Sequence, residues 1–237
     1  MKIVIINGSP RKSGATFNVL NYFKESLENI NPEQNIEFIN LIDYNLKYCI
    51  GCQHCYKTGK CIISDDRIEE IQDGINNCNG IIWGSPNYCT NISGLFRNFY
   101  DRANVLVPQL LHRKPCINIV TYENGMAYKV LKIMKEMASY AGGYNVKSMG
   151  IKIPFNKNPL DTMLKGKIKK SAKLFLEKIQ KNPPLFSVIF SKIVVNIFLK
   201  PYMVKNREQY QVILNSWLER GIIKDIKNNL RIPKIKN

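Results

Sequence analysis

Short apolar runs alternate with amphipathic stretches through most of the chain. Residues 2–6, KIVII, are continuously apolar and run into Asn7 and Gly8, as a buried parallel strand entering a turn does. Phe17, Leu20, Phe23 and Leu27 then recur at helical spacing and predict a helix over 16–29. A second strand is predicted over 36–41. A helix follows over about 65–77, with Ile68, Ile71 and Ile75 on one face, Asp65 as its cap and Glu69 and Glu70 near its first turn. Strands are predicted at 80–86, 115–121 and 145–153. Helices are predicted at 95–103, at 126–141 before the stop at Gly142 and Gly143, and at 161–181 before Asn182, Pro183 and Pro184. Five strands separated by helices predict a three-layer α/β sheet with right-handed crossovers.

The pattern changes after Pro183. Residues 185–199, LFSVIFSKIVVNIFL, are apolar but interrupted by Ser187, Ser191, Lys192 and Asn196. Read as ending there, the run falls short of the ~20 residues that span a bilayer. It predicts a packed helix and no transmembrane segment; a cover for an oligomer contact or a pocket, or an interfacial membrane helix, fits the same pattern. Residues 206–220 predict one more helix, with Tyr210, Ile213, Leu214 and Trp217 on one face. The expected organisation is one α/β domain over 1–182 and a basic, mostly helical extension over 183–237.

Charge separates the halves. Residues 1–118 hold 12 Lys and Arg against 11 Asp and Glu, whereas residues 119–237 hold 23 against 7. No zinc-finger, helix-turn-helix or aromatic-interleaved pattern accompanies these cations, which argues against nucleic acid. A solvated lysine surface is the simplest account; an acidic redox partner or an anionic membrane surface also suits the charge. The N-terminal apolar run is too short for a signal peptide, and seven cysteines clustered mainly at 49–61 do not form a secreted disulfide pattern. A reduced, cytoplasmic protein is expected.

Three loops follow strand ends, where ligands bind in open parallel sheets. NGSPRKSGAT, 7–16, offers the hydroxyls of Ser9, Ser13 and Thr16, the charges of Arg11 and Lys12, and Gly8 and Gly14 for close backbone approach. It lacks both the P-loop and the GxGxxG spacing. With the first helix's N–H groups it suits a terminal phosphomonoester. SPNYCTNISG, 85–94, can meet a heterocycle: Pro86 stiffens it, Asn87, Thr90 and Asn91 can hydrogen-bond an edge, Tyr88 can stack, and Cys89 is a further contact. TYENG, 121–125, closes the crevice with Tyr122 and Gly125.

Cys49, Cys52, Cys55 and Cys61 are spaced C-x2-C-x2-C-x5-C. Two successive x2 gaps wind three thiolates around one centre, the arrangement that grips three irons of a cubane. No second cysteine group exists to share the fourth ligand, so Cys61 would complete the same site. Zinc, thiols without a metal, or a disulfide on oxidation remain open from the spacing alone. Cys78 and Cys116 read as small buried hydrophobes, His112 as structural, and His54 as solvent-facing or tuning the cysteine site.

GSPRKSGAT, GSPNYCTNISGLFRNFYDR and the strand–helix rhythm together resemble the flavodoxin-like NAD(P)H-dependent FMN reductase family over residues 1 to about 180. The cysteine segment, continued as CIISDD, is similar to the compact motif of iron–sulfur flavoproteins. These resemblances imply a flavodoxin-like sandwich with a five-stranded parallel sheet in the order 2-1-3-4-5. They imply FMN phosphate at Ser9, Arg11, Ser13 and Thr16, and the isoalloxazine at Pro86, Asn87, Tyr88 and Thr90. They further imply a [4Fe–4S] cluster on the four cysteines, NAD(P)H or a ferredoxin-like protein as electron donor, and a homodimer or tetramer. The acceptor would be a quinone, a flavin or another small molecule. A non-enzymatic flavodoxin-like carrier, and an FMN reductase without a cluster, are the alternatives.

Overall fold

The structure is a computed structural model and describes residues 1–153 and 160–224. Strands β1 (Lys2–Asn7), β2 (Asn35–Asn40), β3 (Gly80–Pro86), β4 (Pro115–Tyr122) and β5 (Tyr144–Lys152) form one parallel sheet in the order β2-β1-β3-β4-β5. Helices α1 (Ala15–Ile30), α3 (Ile68–Asn77), α4 (Gly94–Arg102), α5 (Ala127–Tyr140) and α6 (Thr162–Gln180) connect and cover it, and a short helix α2 (His54–Thr58) lies in the connection between β2 and α3. The apolar runs are continuous because both faces are buried. Val4, Ile6, Ile81 and Trp83 face α3, α4 and α5. Ile3, Ile5, Ile82 and Ile117 face α1 and α6. The chain leaves β1 for β2 on one side and resumes at β3 on the other, so the crevice of the sheet opens beyond the ends of β1 and β3.

Two local expectations change. Asp65 does not cap α3: it pairs with Lys47 on the surface, while Asp66 Oδ1 accepts from the Ile68 N–H at 3.3 Å. Gly8 has a packing reason for lacking a side chain that the loop pattern does not show. A Cβ there would lie 2.5 Å from Phe96 and 2.9 Å from the Gly84 carbonyl, so the bare backbone serves packing of the first loop on α4 and β3.

The apolar stretch after Pro183 departs furthest from expectation. It is one helical rod, Leu185–Lys205, of 21 residues rather than 15, long and apolar enough by length and composition to cross a membrane. It comprises α7 (Leu185–Ile193), a π-helical turn (Val194–Leu199) and α8 (Lys200–Lys205). Pro201 lacks an N–H and its ring would crowd the carbonyl four residues back. The widened turn just before it lets the rod continue. The rod is not packed on all sides: only 17% of its most apolar window is buried. Its inner side chains Val195 and Met203 join Tyr210, Ile213, Leu214 and Trp217 of α9 (Arg207–Glu219) in a separate apolar cluster. That cluster rests on Tyr56 of α2 and on Val107. The Arg220 guanidinium fastens the end of α9 to the carbonyls of Pro108 and Gln109 at 2.8 and 2.7 Å.

Candidate functional site: a cavity at the sheet ends and a cysteine loop

The first loop is organised by its own side chains. Asn7 is buried, donates to Asn40 and accepts the Ser9 N–H at 3.1 Å. Ser9 Oγ in turn accepts the Arg11 N–H at 3.2 Å. Lys12 is paired with Asp43. The start of α1 at Gly14 has no side-chain cap, which leaves its first N–H groups available to an anion. Thr16 is buried and its hydroxyl shares a 2.7 Å hydrogen bond with Thr121, tying the loop to β4.

A cavity of about 770 Å³ opens beside this loop. Arg11, Pro86, Asn87, Tyr88, Cys89, Thr90, Tyr122 and Gly125 line it, so eight residues singled out from the sequence converge. Ser9, Ser13 and Thr16 sit behind or beside its wall rather than in it. Ala15, Thr121, Glu123 and Asn124, from the same predicted loops but not singled out there, also line it, as do Met126 and Ile153, which carry no signal in the sequence. Those from the ends of β4 and β5 arrive there because β4 ends beside β3 and β5 beside β4, and Ala15 comes from the start of α1.

The second loop is held from below. Ser93 caps α4 by accepting from the Phe96 N–H and donates to the Gly8 carbonyl at 2.6 Å, joining the first and second loops. Cys89 and Thr90 both adopt positive φ, 49° and 65°, which turns the loop back so that Tyr88 and Asn91 pair. Asn87 donates its N–H to the Thr121 carbonyl and its side-chain amide to the Gly125 carbonyl, each at 2.8 Å. Its Oδ1 is buried and has no partner. A buried acceptor without a donor is costly unless a ligand supplies one. A Cβ at Gly125 would meet nothing within 4 Å, so that backbone faces open space. The cavity, the uncapped helix start and the free amide oxygen fit a planar heterocycle with N–H groups and a phosphate, as FMN is.

The cysteine loop lies between β2 and α3. Gly51 (φ 66°), Gln53 (φ 59°) and Gly59 (φ 80°) take left-handed conformations and fold it around α2. Cys49 and Cys52 are exposed; Cys55 and Cys61 are half-buried. Burial pushes the Cys55 thiol up to about 11, and Cys61, Cys49 and Cys52 add to the shift, so the four thiols feel one another. Among the described residues they do not converge tightly enough to ligate one ion. Asn104 Nδ2 reaches Cys55 Sγ at 3.6 Å. Arg102, completely buried, holds the carbonyls of Lys47 and Ile63 at the two ends of the loop. Four soft sulfur donors, one of them touched by an amide N–H, on a loop braced by a buried guanidinium suit an iron–sulfur cluster in donor chemistry. His54, the first residue of α2, is half-buried. Cys78 and Cys116 are buried in the core, as expected.

Comparison with known proteins matches residues 1–158 to the model of the NADPH-dependent FMN reductase family. An iron–sulfur flavoprotein of Clostridioides difficile is 45% identical over 225 residues, spanning 94% of this chain and 100% of that protein. One from Methanocaldococcus jannaschii is 40% identical over 107 residues, 45% of this chain and 53% of its own length. An NADH:FMN oxidoreductase structure covers 78% of this chain and 92% of its own, at 16% identity and a TM-score of 0.58. An archaeal flavodoxin covers 76% and 100%, at 14% identity and a TM-score of 0.52; these two structures establish the flavodoxin-like fold. The match over the whole sheet and the long alignment to an iron–sulfur flavoprotein lead to one conclusion: the chain belongs to the NADPH-dependent FMN reductase family.

Proposed function

We propose that this chain is an FMN oxidoreductase that passes electrons from NAD(P)H or a ferredoxin-like donor to a quinone, a flavin or another small acceptor. The observation that carries it is the cavity at the sheet ends, whose lining includes Arg11, Tyr88, Tyr122 and Asn87, the last with a buried side-chain oxygen that has no partner. Asn87 would accept from the flavin's N–H edge, and Tyr88 and Tyr122 would flank the ring. Arg11 and the open start of α1 would meet the phosphate, with Ser9, Ser13 and Thr16 shaping that loop. FMN, when bound, supplies hydride and single-electron chemistry. The protein's part is to hold the ring edge, exclude water and admit a second molecule through the open side.

Cys49, Cys52, Cys55 and Cys61 are the residues that would hold a [4Fe–4S] cluster, in keeping with the name of the Clostridioides difficile relative. Cluster ligands folding onto their metal as it binds is the usual coupling of metal and loop. The exposure of Cys49 and Cys52 favours a second reading, an FMN reductase whose cysteines hold no metal.

Reduction of the FMN-loaded protein without oxygen tests the enzymatic reading. Bleaching of the flavin band by NADPH or NADH within catalytic time supports it. A flavin that dithionite bleaches but neither nucleotide touches would leave an electron carrier.

A further inference from the structure

The rod Leu185–Lys205 turns a large apolar face outward. Leu185 and Phe186 are 76% and 79% exposed, and Ile197, Phe198 and Tyr202 are between 60% and 67% exposed. Ile189 and Ile193 bridge the two groups and are exposed as well. Such a continuous face is unusual on a protein surface that meets only water. The rod is not loose. Ser191, Val194, Val195 and Met203 are buried beneath it, and Phe190 meets Tyr140 of α5 ring to ring at 5.8 Å. The body of the protein therefore presents this face in a fixed orientation.

Charge says what the face fits. From Lys178 to Arg207 the chain holds six cations and no carboxylate: Lys178, Lys181, Lys192, Lys200, Lys205 and Arg207. Lys192 and Lys205 are exposed on the rod itself. A second copy laid on this face would bring two such cationic segments together, whereas an anionic headgroup layer neutralises them. The rod is about 31 Å long at 1.5 Å per residue, enough to span. Spanning would strip it from α5 and α9 and draw Lys192 into hydrocarbon. Lying in the plane keeps the inner contacts and lets the lysine stems reach headgroups while phenylalanine, tyrosine and leucine enter the acyl boundary.

We propose that the outward face of Leu185–Lys205 docks the protein, in the plane of the membrane, on an anionic lipid surface. The docked body would carry the cysteine loop close to that surface, because α9 packs against α2: Tyr56 stacks on Tyr210 at 5.2 Å and Gln209 Nε2 donates to the Gln53 carbonyl at 3.2 Å. The proposal depends neither on FMN nor on a metal.

The test is co-sedimentation of the purified full chain with phosphatidylglycerol-containing vesicles and with pure phosphatidylcholine vesicles, beside sedimentation velocity without lipid. Retention by the anionic vesicles only, weakening as salt rises, is the expected result. Phe186→Ser with Phe198→Ser should abolish retention, and Lys192→Gln or Lys205→Gln should each weaken it about fivefold, the equivalent of about 1 kcal/mol per cation near a charged leaflet. All four side chains are exposed, so an unchanged far-ultraviolet spectrum is expected of each variant. Absence of vesicle binding, equal binding to both vesicle types, or a lipid-free dimer that the serine substitutions dissociate would overturn the proposal.

Discussion

The Arg102 guanidinium grips both carboxylate oxygens of Asp66, at 2.7 and 2.9 Å, with side-chain exposures of 0% and 3%. The same group donates to the Lys47 carbonyl at 2.6 Å and to the Ile63 carbonyl at 3.2 Å. Those carbonyls lie two residues outside Cys49 and Cys61, so one buried ion pair pins the loop at both ends. Removing one partner strands the other charge without water. Arg102→Met is expected to cost about 3–5 kcal/mol of stability, and Arg102→Met with Asp66→Leu less than the sum of the two single changes. Chemical denaturation of the four variants of the cycle measures this; simple additivity would show that the pair does not act as a unit.

Asn87 lines the cavity, and its buried side-chain oxygen has no partner. Asn87→Ala keeps the backbone bond to Thr121 but removes that acceptor and the tie to Gly125. FMN affinity, followed by quenching of flavin fluorescence, is expected to fall about tenfold. An unchanged affinity would remove Asn87 from the flavin site.

The first loop is tested by charge. Ser13 is exposed beside Arg11 at the open start of α1. Ser13→Glu places a carboxylate where the phosphate is proposed to lie, so FMN should bind at least tenfold more weakly while riboflavin, which lacks the phosphate, is little affected. Equal losses for both flavins would point to a damaged fold instead.

Cys55 is half-buried and is the one of the four that Asn104 touches. Cys55→Ala is expected to abolish bound iron while the sheet stays folded and FMN still binds. A full complement of iron in that variant would refute the ligand set.

His112 gives a pH dependence unrelated to electron transfer. Burial, then Arg220, Arg113 and Lys114, push its pKa down to about 4, and its Nδ1 is buried without a partner. The folded protein therefore keeps it neutral where the unfolded chain, with an ordinary value near 6.5, takes up a proton. Stability is full above about pH 6.5 and declines as pH falls toward about 4, by roughly 1–2 kcal/mol once its partial exposure is allowed for. His112→Gln should flatten that part of the stability profile.

Much of the sheet was legible because parallel strands buried on both faces are written as unbroken apolar runs, and KIVII and GIIWGSP are such runs. The loop after β3 was legible for a related reason: Pro86, Asn87 and Tyr88 sit at a strand's carboxyl end, where this topology places ligands. Arg102 was not. Nothing local distinguishes a helix-end arginine that is solvated from one that reaches Asp66 across 36 residues. Nor is it legible that Asp66, and not Asp65, accepts from the Ile68 N–H at the start of α3. The rod at 185–205 is legible neither in its length nor in its exposure. Lys200-Pro201 reads as a helix stop unless the widened turn is known, and apolar composition does not reveal whether a partner covers it.

The most direct test of the account is to purify the protein without oxygen, record its absorption spectrum and count FMN, iron and acid-labile sulfide per chain. Flavin bands with a broad shoulder in the violet, about one FMN, and about four irons with four sulfides per chain are expected. Flavin with neither iron nor sulfide would contradict the cluster and leave a plain FMN reductase or carrier whose four cysteines serve as thiols.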